Sequence, residues 1–494
     1  MSSAGLQFTP MKTAKPNNTT TPLAATSAHG TRLEHDLLGE RSIPVDAYWG
    51  IHTLRAVENY PISGIPLTKL PELIKALAWV KTAAARANAD LSVISSEHAK
   101  LIEAACNDVA SGQFDDQFVV DVIQGGAGTS TNMNANEVIA NRALELHGQV
   151  KGDYKVLHPI EQVNASQSTN DVYPTAVRVA ICLSLDALAA SMTVLRRSFE
   201  HKAFEFRDVI KMGRTQLQDA VPMTLGQEFS TYAVMLSEDE TRLAEARALM
   251  LEINLGATAI GTGINTDPAY AELACSYLRE ISGLPLIKAG NLIEATQDTG
   301  GFVQLSGVLK RIACKISKIC NDLRLLSSGP QAGFGELRLP ARAAGSSIMP
   351  GKVNPIIPEV VNQIAFEVIG NDITVTMASE AGQLQLNAFE PIMAWSLFKS
   401  IKHLAAGMQT LAVNCIDGIE ANKEMLAARV HASAGLATAL NPYIGYENAT
   451  RIAQKAIETG RPVTDLVLEE GLLDETKLRE ILRPEVLTQP YRMR

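Results

Sequence analysis

The segment 299–330, TGGFVQLSGVLKRIACKISKICNDLRLLSSGP, contains the feature that most limits the possible folds. Its apolar residues alternate spacings of four and three without interruption, at Leu305, Leu309, Ile312, Ile316, Ile319, Leu323 and Leu326. This spacing predicts a long helix whose apolar seam packs against other helices. The tetrapeptide SSGP then predicts the end of the helix.

Four further segments have the pattern of long helices, at about 173–211, 224–255, 356–386 and 392–425. The second of these begins with Thr224 and Gln227 at capping-box spacing and stops at Gly256. Helices of thirty residues are about 45 Å long, which suits an elongated bundle. We therefore predict a mainly α protein of three domains, with an N-terminal helical domain at 33–165, a central bundle of five long helices at 166–425 and a small C-terminal helical domain at 426–494.

Residues 1–32 differ from the rest because they are rich in Thr, Ser, Pro, Asn and Ala and contain no acidic residue. We expect a disordered tail. The tail lacks the apolar core of a signal peptide and carries one arginine, Arg32, so a mitochondrial address is less favoured than a cytoplasmic location. The six cysteines form no CxxC pair, which indicates reduced thiols in a reducing compartment.

The charge and hydropathy of the chain argue against two classes of partner. The net charge is −9 with both signs dispersed, whereas a nucleic-acid-binding protein needs a basic face. No apolar run reaches the roughly 18 residues of a membrane span, so we expect no membrane-spanning segment.

Four blocks of small polar residues interrupt the helices: GGAGTSTNMNANE (125–137), SQSTNDVYPT (166–175), KMGRTQLQDAVPMTLGQ (211–227) and GSSIMPGKVNP (345–355). Such residues also cap helices and form turns, so one block alone would fit a structural role. None contains His, Cys or carboxylates at metal-ligand spacing, which argues against a metal site, a cysteine nucleophile or a catalytic triad. The neutral donors and Lys352 suit a small polyanion whose negative charge grows during reaction.

The block GSSIMPGKVNP resembles the signature loop of the aspartase/fumarase superfamily, and the other three blocks resemble its other active-site segments. The similarity extends from about residue 33 to near the C-terminus. Within the superfamily the chain resembles the aspartate ammonia-lyases, because GAGTS replaces the fumarase-like SGTQ, QSTND replaces SSND, and EAGQLQLN at 380–387 has the aspartase form. Argininosuccinate and adenylosuccinate lyases carry a different residue where this chain has Val353.

The resemblance implies the reversible conversion of L-aspartate to fumarate and ammonia without a metal or other cofactor. It implies Ser346 as the catalytic base that removes the Cβ proton. It also implies a substrate-binding set in which Ser168, Thr169 and Ser347 hold the β-carboxylate, Thr215, Lys352 and Asn354 hold the α-carboxylate, Thr129, Asn170 and Gln216 hold the amino group, and Met349 belongs to the signature loop.

The chemistry explains why two hydroxyls stand together in that loop. Removal of the Cβ proton turns the β-carboxylate into an aci-carboxylate with nearly two negative charges, which hydroxyl and N–H donors must stabilise. Serine is a weak base unless donors stabilise its alkoxide and water is excluded. Gly345 and Gly351 let the backbone turn and let the loop open and close.

The resemblance further implies a homotetramer in which three subunits build each active site. One position departs from the common pattern, since Gln216 stands where many members have His. Gly351 is shared with fumarases, so the loop alone leaves fumarase open as an alternative. A non-catalytic structural protein on the same fold is the other alternative, although the intact Ser346, Lys352 and Asn354 argue against it.

Overall fold

The computed structural model describes residues 30–490, and the predicted tail before residue 30 lies outside that range. The N-terminal part begins with a hairpin of two antiparallel strands. The prediction that Arg32 belongs to the tail was wrong, because Arg32 is held in this hairpin by hydrogen bonds to the carbonyls of Ala47 and Trp49. Helices follow. The elements are β1 (Thr31–Asp36), β2 (Gly39–Pro44), α1 (Ile51–Asn59), α2 (Pro71–Asp90), α3 (Ser96–Ala110) and α4 (Thr129–Leu146).

The central part contains the five predicted long helices, which confirms the mainly α fold class. The long helices are α5 (Thr169–Glu205), α6 (Leu225–Ala248), α9 (Gly300–Leu326), α10 (Ile356–Glu380) and α11 (Glu390–Asn414). The shorter elements between them are β3 (Ile210–Thr215), β4 (Gln218–Thr224), β5 (Glu252–Ile253), α7 (Tyr270–Ser282), β6 (Ile287–Lys288), α8 (Leu292–Gln297), β7 (Leu337–Arg338) and β8 (Glu420–Ala421).

The C-terminal part is built from short helices around a hydrophobic cluster of its own, which includes Leu440, Ile452 and Leu466. Its elements are α12 (Lys423–Ala432), α13 (Leu436–Ile444), α14 (Tyr446–Thr459), α15 (Val463–Glu469), α16 (Glu475–Ile481) and α17 (Pro484–Leu487). The main core, in contrast, is continuous across residue 165, because α2 packs directly on α5.

The apolar seam of α9 is buried along its whole length, as its spacing predicts. The capping box of α6 is also present, with the Thr224 hydroxyl accepting from the Gln227 N–H and the Gln227 side chain accepting from the Thr224 N–H. Helix α9 ends at Leu326, directly before SSGP.

Several predicted bounds were wrong. The helix predicted over 173–211 begins at Thr169 and ends at Glu205, because Ile210–Thr215 pairs with β4 as a hairpin instead of continuing the helix. The helices predicted to reach 255, 386 and 425 end at Ala248, Glu380 and Asn414. Buried apolar residues continue past the ends of α6 and α11, among them Met250 and Ile416, whereas Leu384 after α10 is exposed. Apolar periodicity alone therefore overestimates the helix length.

The expectation that no segment has the length and composition of a membrane span was also wrong. An 18-residue window of α5 has a mean hydropathy of 1.7, which is apolar enough for a span. The helix packs against α2, α6 and α11, however, and 44% of that window is buried inside the chain. A core helix of a bundle has the same composition, so this feature is weak support for a membrane segment.

The long helices give the bundle two ends. Asn254, just after α6, donates to the carbonyl of Asn170 and to the hydroxyl of Thr296, which is three residues before Thr299. The hydroxyls of Thr299 and Ser379 lie 2.7 Å apart. The start of α5, the end of α6, the start of α9 and the end of α10 therefore lie together. We call this the Thr169 end. At the other end, Lys202 of α5 donates to the carbonyl of Ile419, which follows α11. We call that the Ser346 end.

Candidate active site

The residues at the start of α5 are fixed by a capping box. The Ser168 hydroxyl accepts from the Asn170 N–H at 3.2 Å, and the Asp171 carboxylate accepts from the Ser168 N–H at 3.0 Å. These bonds satisfy N–H groups that a helix start leaves without partners. Ser168, Thr169 and Asn170 therefore stand in fixed positions at the positive end of a 37-residue helix, which favours anions.

Asp171 also anchors a neighbouring loop to this helix start. Its second oxygen accepts from the N–H groups of Gly256 and Thr258, at 3.1 and 2.9 Å. Burial raises the pKa of Asp171 to about 6, although the three backbone donors and the charge of Lys81 oppose the rise. The loop after α6 is thus held against the candidate site by a carboxylate that is itself buried.

Two of the predicted residues at this end present hydrogen-bond acceptors. The Thr129 hydroxyl donates to the Gly126 carbonyl at 2.8 Å, so its oxygen is left to accept. The Asn170 amide donates to the Ala259 carbonyl at 2.7 Å, which leaves its Oδ1 as the acceptor. Gly128 lets α4 start beside α5, because a Cβ there would lie 2.4 Å from the Tyr173 ring. Two such acceptors suit an ammonium group.

The other two predicted residues present donors. The Ser168 hydroxyl accepts from the Asn170 N–H, and the Thr169 hydroxyl accepts from the Asn132 amide at 3.2 Å. Each oxygen already accepts a hydrogen bond, so each hydroxyl hydrogen can point elsewhere. Two such hydrogens suit a carboxylate.

At the Ser346 end, Thr215 and Gln216 lie at the tip of the β3–β4 hairpin. Gln216 and Leu217 form a two-residue turn with φ values of +54° and +64°, which is the backbone of a tight hairpin. Strand β3 of the hairpin is held by buried Glu336, which pairs with Lys211 at 2.9 Å and Arg214 at 2.5 Å. Both Thr215 and Gln216 are exposed.

The loop 345–355 is closed by its own backbone. The Gly345 N–H donates to the Lys352 carbonyl at 2.7 Å, and the Asn354 amide donates to the Gly345 carbonyl at 2.7 Å. A Cβ on Gly345 would lie 2.5 Å from the Lys352 carbonyl oxygen, so this closure requires glycine. Asn354 keeps one amide hydrogen for a ligand.

Within this loop the Ser346 hydroxyl accepts from two backbone N–H groups, those of Ile348 at 3.2 Å and Met349 at 3.0 Å. The same two donors would stabilise an alkoxide on Ser346. The side chains around it are open in the single chain, since Ser347, Met349 and Lys352 are exposed and Ile348 is 84% exposed. The loop thus presents a polarised serine on an uncovered surface.

The two groups of predicted residues cannot meet within one chain. Helix α5 is about 55 Å long, and Thr215 follows its last residue by ten positions, a reach of at most about 35 Å. Thr169 and Thr215 are therefore separated by about 20 Å or more. Ser346 is on the Thr215 side, because Arg342 donates to the Asn414 carbonyl at the end of α11. The structure brings together Thr129, Ser168, Thr169 and Asn170 at one end and leaves Thr215, Gln216 and the loop at the other.

Comparisons with known proteins cover most of the chain. A lyase family model matches residues 39–370, and a model of the fumarase C C-terminus matches residues 436–489. An aspartate ammonia-lyase of Pseudomonas canavaninivorans is 58% identical over 465 residues, which cover 94% of this chain and 98% of the relative. The chain belongs to the aspartase/fumarase superfamily, in its aspartate ammonia-lyase group.

Solved structures of superfamily members agree with this placement. A fumarate lyase:delta crystallin of Brucella melitensis, bound to cobalt, superposes with a TM-score of 0.91 at 56% identity and covers 93% of this chain and 100% of its own. A class II fumarase of Schistosoma mansoni superposes with a TM-score of 0.86 at 34% identity and covers 92% and 98%. The superfamily fold is thus shared, while the sequence is much closer to the ammonia-lyase than to this fumarase.

Two buried residues behind the candidate site, Asn132 and Lys81, were not predicted from the sequence. Asn132 and Lys81 are buried behind Thr169, and Asn164 connects them. The three asparagines at 132, 134 and 136 of α4 were a usable signal, because buried amides inside a helix need partners. Lys81 was another, because the stretch ALAWVKTAAA (76–85) of α2 is apolar apart from Lys81 and Thr82.

Two further features bear on ligands. Among residues 30–490 no group of three or more His, Cys, Asp or Glu side chains is placed to hold a metal ion. A cleft of about 440 Å³ lies beside the β3–β4 hairpin, lined by residues that include Arg214, Asp219, Glu336, Arg429 and Ser433. None of the predicted site residues lines this cleft, so its size does not identify the reaction centre.

Proposed function

We propose that this protein converts L-aspartate reversibly to fumarate and ammonia, with Ser346 as the base. The observation that carries the proposal is the polarity of the hydrogen bonds at the Thr169 end. Thr129 and Asn170 offer acceptors, which fit the amino group, whereas Ser168 and Thr169 offer donors, which fit the β-carboxylate. Membership of the aspartate ammonia-lyase group supports the same substrate.

The proposed reaction begins with proton transfer. Ser346, as the alkoxide, takes the Cβ proton, and the electron pair of the C–H bond moves into the β-carboxylate to form the aci-carboxylate. Ser168, Thr169 and Ser347 donate hydrogen bonds to that growing charge. The electron pair then returns to form the C=C bond of fumarate while the C–N bond breaks and ammonia leaves.

The α-carboxylate carries the same charge throughout the reaction and needs binding without activation. We assign it to Thr215, Lys352 and the remaining amide hydrogen of Asn354. Gln216 joins Thr129 and Asn170 around the amino group. Met349 contributes through its backbone N–H, which donates to the Ser346 hydroxyl.

We also propose a homotetramer with shared active sites. The two halves of the site lie at opposite ends of the bundle, so a complete site needs residues from other copies of the chain. Helix α10 offers a surface for such copies, because its apolar side chains at seven- and four-residue spacing remain exposed, with Phe366 at 63% and Met377 at 66% and Ile373 between them.

A cytoplasmic location is proposed on the state of the cysteines. All six are free thiols, and every one except Cys314 is buried. Such usage fits a reducing compartment. Cell fractionation of the native host, followed by immunoblotting of the soluble and organelle fractions, tests this point.

One pair of measurements tests the function most simply. Purified protein is incubated with L-aspartate and, separately, with L-malate, and the ultraviolet absorbance of fumarate is followed. We expect fumarate from L-aspartate and no comparable rate from L-malate. A signal with L-malate alone would show a fumarase, and no signal with either substrate from a folded tetramer would support a structural protein.

A further inference from the structure

A buried cluster of side chains lies directly behind Thr169. It contains four amides, Asn132 and Asn136 of α4 and Asn164 and Gln167 of the turn before α5, and we call it the amide cluster. The ammonium group of Lys81, from α2, enters the cluster and is fully buried. Asn132 and Asn136 are also fully or almost fully buried. Three separate parts of the chain thus meet at one point of the candidate site.

The backbone fixes the orientation of two of these amides. The Gln167 amide nitrogen donates to the carbonyls of Val163 and Ala165, and the Asn164 amide nitrogen donates to the carbonyl of Gln167. A carbonyl oxygen only accepts, so the NH₂ groups must face these carbonyls. The oxygens of both side chains must then point the other way, toward Lys81.

The oxygen of Asn164 in turn orients the amides of α4. It accepts from the Lys81 Nζ at 2.8 Å and from the amide nitrogens of Asn132 and Asn136, each at 3.1 Å. Reversing either α4 amide would place oxygen against oxygen. The side-chain oxygens of Asn132 and Asn136 are buried and, among residues 30–490, have no hydrogen-bond partner. This orientation therefore costs folding free energy.

Asn132 differs from Asn136 in what its second amide hydrogen does. The Asn132 nitrogen also lies 3.2 Å from the Thr169 hydroxyl oxygen and donates to it. That oxygen is thereby an acceptor in the fixed network. In residues 30–490 the Thr169 hydroxyl donates to no protein group, so its hydrogen is free for a ligand. The direction of every bond from Lys81 to Thr169 is thus determined.

We infer that Asn132 is a positioning residue that holds the Thr169 hydroxyl as a hydrogen-bond donor toward the β-carboxylate, with Lys81 and Asn164 setting the orientation of Asn132. This inference rests on the proposed function, because the donor matters most when the β-carboxylate gains charge. A donor fixed in advance needs no reorientation as the charge develops, and electrostatic stabilisation of this kind is strongest when it is preorganised.

The test uses two variants that each place one carboxylate in the amide cluster and should destabilise the fold to a similar extent. Asn132→Asp presents only acceptor oxygens to Thr169 and turns its hydrogen away from the substrate. Asn136→Asp is the matched control, because it places the same carboxylate beside Asn164 in the same helix without touching Thr169. We expect kcat of Asn132→Asp to be at least about tenfold lower than kcat of Asn136→Asp. The difference should stay smaller than the roughly hundredfold loss that follows removal of a whole oxyanion donor, because the Thr169 hydroxyl is still present.

A double-mutant cycle with Thr169→Val separates positioning from general damage. If Asn132 acts through the Thr169 hydroxyl, the extra loss caused by Asn132→Asp disappears in the Thr169→Val background. The inference would be overturned if the kcat losses of Asn132→Asp and Thr169→Val multiply in the double variant, or if Asn132→Asp and Asn136→Asp lose kcat equally. If Asn132→Asp does not fold, Asn132→Leu removes the donor without adding charge and is used in the same cycle with Asn136→Leu.

The outcome also distinguishes this inference from the proposed function. A wild-type protein that releases no fumarate from L-aspartate, or a Thr169→Val variant with full activity, would contradict the proposed function. An active wild type with an impaired Thr169→Val variant and no special effect at Asn132 would contradict the positioning role alone.

Discussion

The two ends of the bundle are built in opposite ways. At the Thr169 end, hydroxyls and amides are held by α2, α4, α5 and the loop after α6, and the direction of each hydrogen bond is fixed inside one chain. At the Ser346 end, the hairpin tip and residues 347–353 of the loop are exposed, and among residues 30–490 the Ser346 hydroxyl bonds only to the backbone N–H groups of Ile348 and Met349. The Thr169 end is thus preformed in the single chain, whereas in the proposed tetramer the Ser346 end would need other subunits to exclude water. Substitutions at the Ser346 end should therefore change activity alone, and those at the Thr169 end should change activity and stability together.

The largest expected effect is that of Ser346→Ala. We expect kcat to fall at least about a hundredfold, the lower range for loss of a general base, with an unchanged melting temperature. Steady-state fumarate release and thermal unfolding measure the two quantities. Ser237→Ala, at an exposed serine of α6, controls for loss of a hydroxyl. Near-normal turnover in Ser346→Ala would remove Ser346 from the mechanism.

A smaller effect is expected for Lys352→Ala. The α-carboxylate is charged before and after proton removal, so Lys352 binds ground state and transition state alike, and such uniform binding appears in KM. Loss of one charged hydrogen bond predicts a rise in KM for L-aspartate of about ten- to a hundredfold. Lys402→Ala, at an exposed lysine of α11, is the control. A collapsed kcat with unchanged KM would assign Lys352 to the transition state instead.

The smallest effect concerns stability at the Thr169 end. Burial lowers the pKa of Lys81 to about 7, although the charge of Asp171 opposes this, and an unfolded lysine titrates near 10.4. Below about pH 7 Lys81 is protonated in both the folded and the unfolded chain, so the burial of its charge lowers the free energy of unfolding by its full amount. Between about pH 7 and 10 the unfolded chain binds a proton that the folded chain has lost, so stability rises with pH.

Lys81→Met removes this dependence. Urea unfolding at several pH values and one protein concentration should give the wild type an extra positive slope of up to about 1.4 kcal/mol per pH unit over the variant. Parallel slopes for the two proteins would show that Lys81 keeps its proton in the folded state, and would weaken the contrast between the two ends.

The sequence predicted those parts of the fold that depend on local pattern. The seam of α9 and the capping box of α6 are properties of neighbouring residues, and both are present. The β1–β2 hairpin and the end of α5 at Glu205 were missed, since each depends on pairing with a second strand. Hydrophobic periodicity therefore predicts the type of a segment better than its ends, which depend on the strand or helix that it meets.

The site shows the same limit. The four polar blocks were visible in the sequence, and the resemblance supplied roles for residues such as Ser346 and Thr169. Asn132 and Lys81 are visible as polar residues inside helical segments, but the sequence does not show that they meet behind Thr169, because that depends on how α2, α4 and α5 pack together. The separation of Thr169 from Thr215 likewise became measurable only once the length of α5 was known.

The central claim is that a complete site combines opposite ends of different subunits, and subunit mixing tests it most directly. Inactive Ser346→Ala and inactive Thr169→Ala tetramers are dissociated, mixed in equal amounts and reassociated, and mixed tetramers are verified by native mass spectrometry. Random assembly should give both intact residues to about a quarter of the pockets and restore about a quarter of wild-type activity, since each pocket draws Ser346 and Thr169 from different subunits of a symmetric oligomer. Mixtures that stay as inactive as their parents despite forming mixed tetramers, or an active monomer in light scattering, would contradict the account.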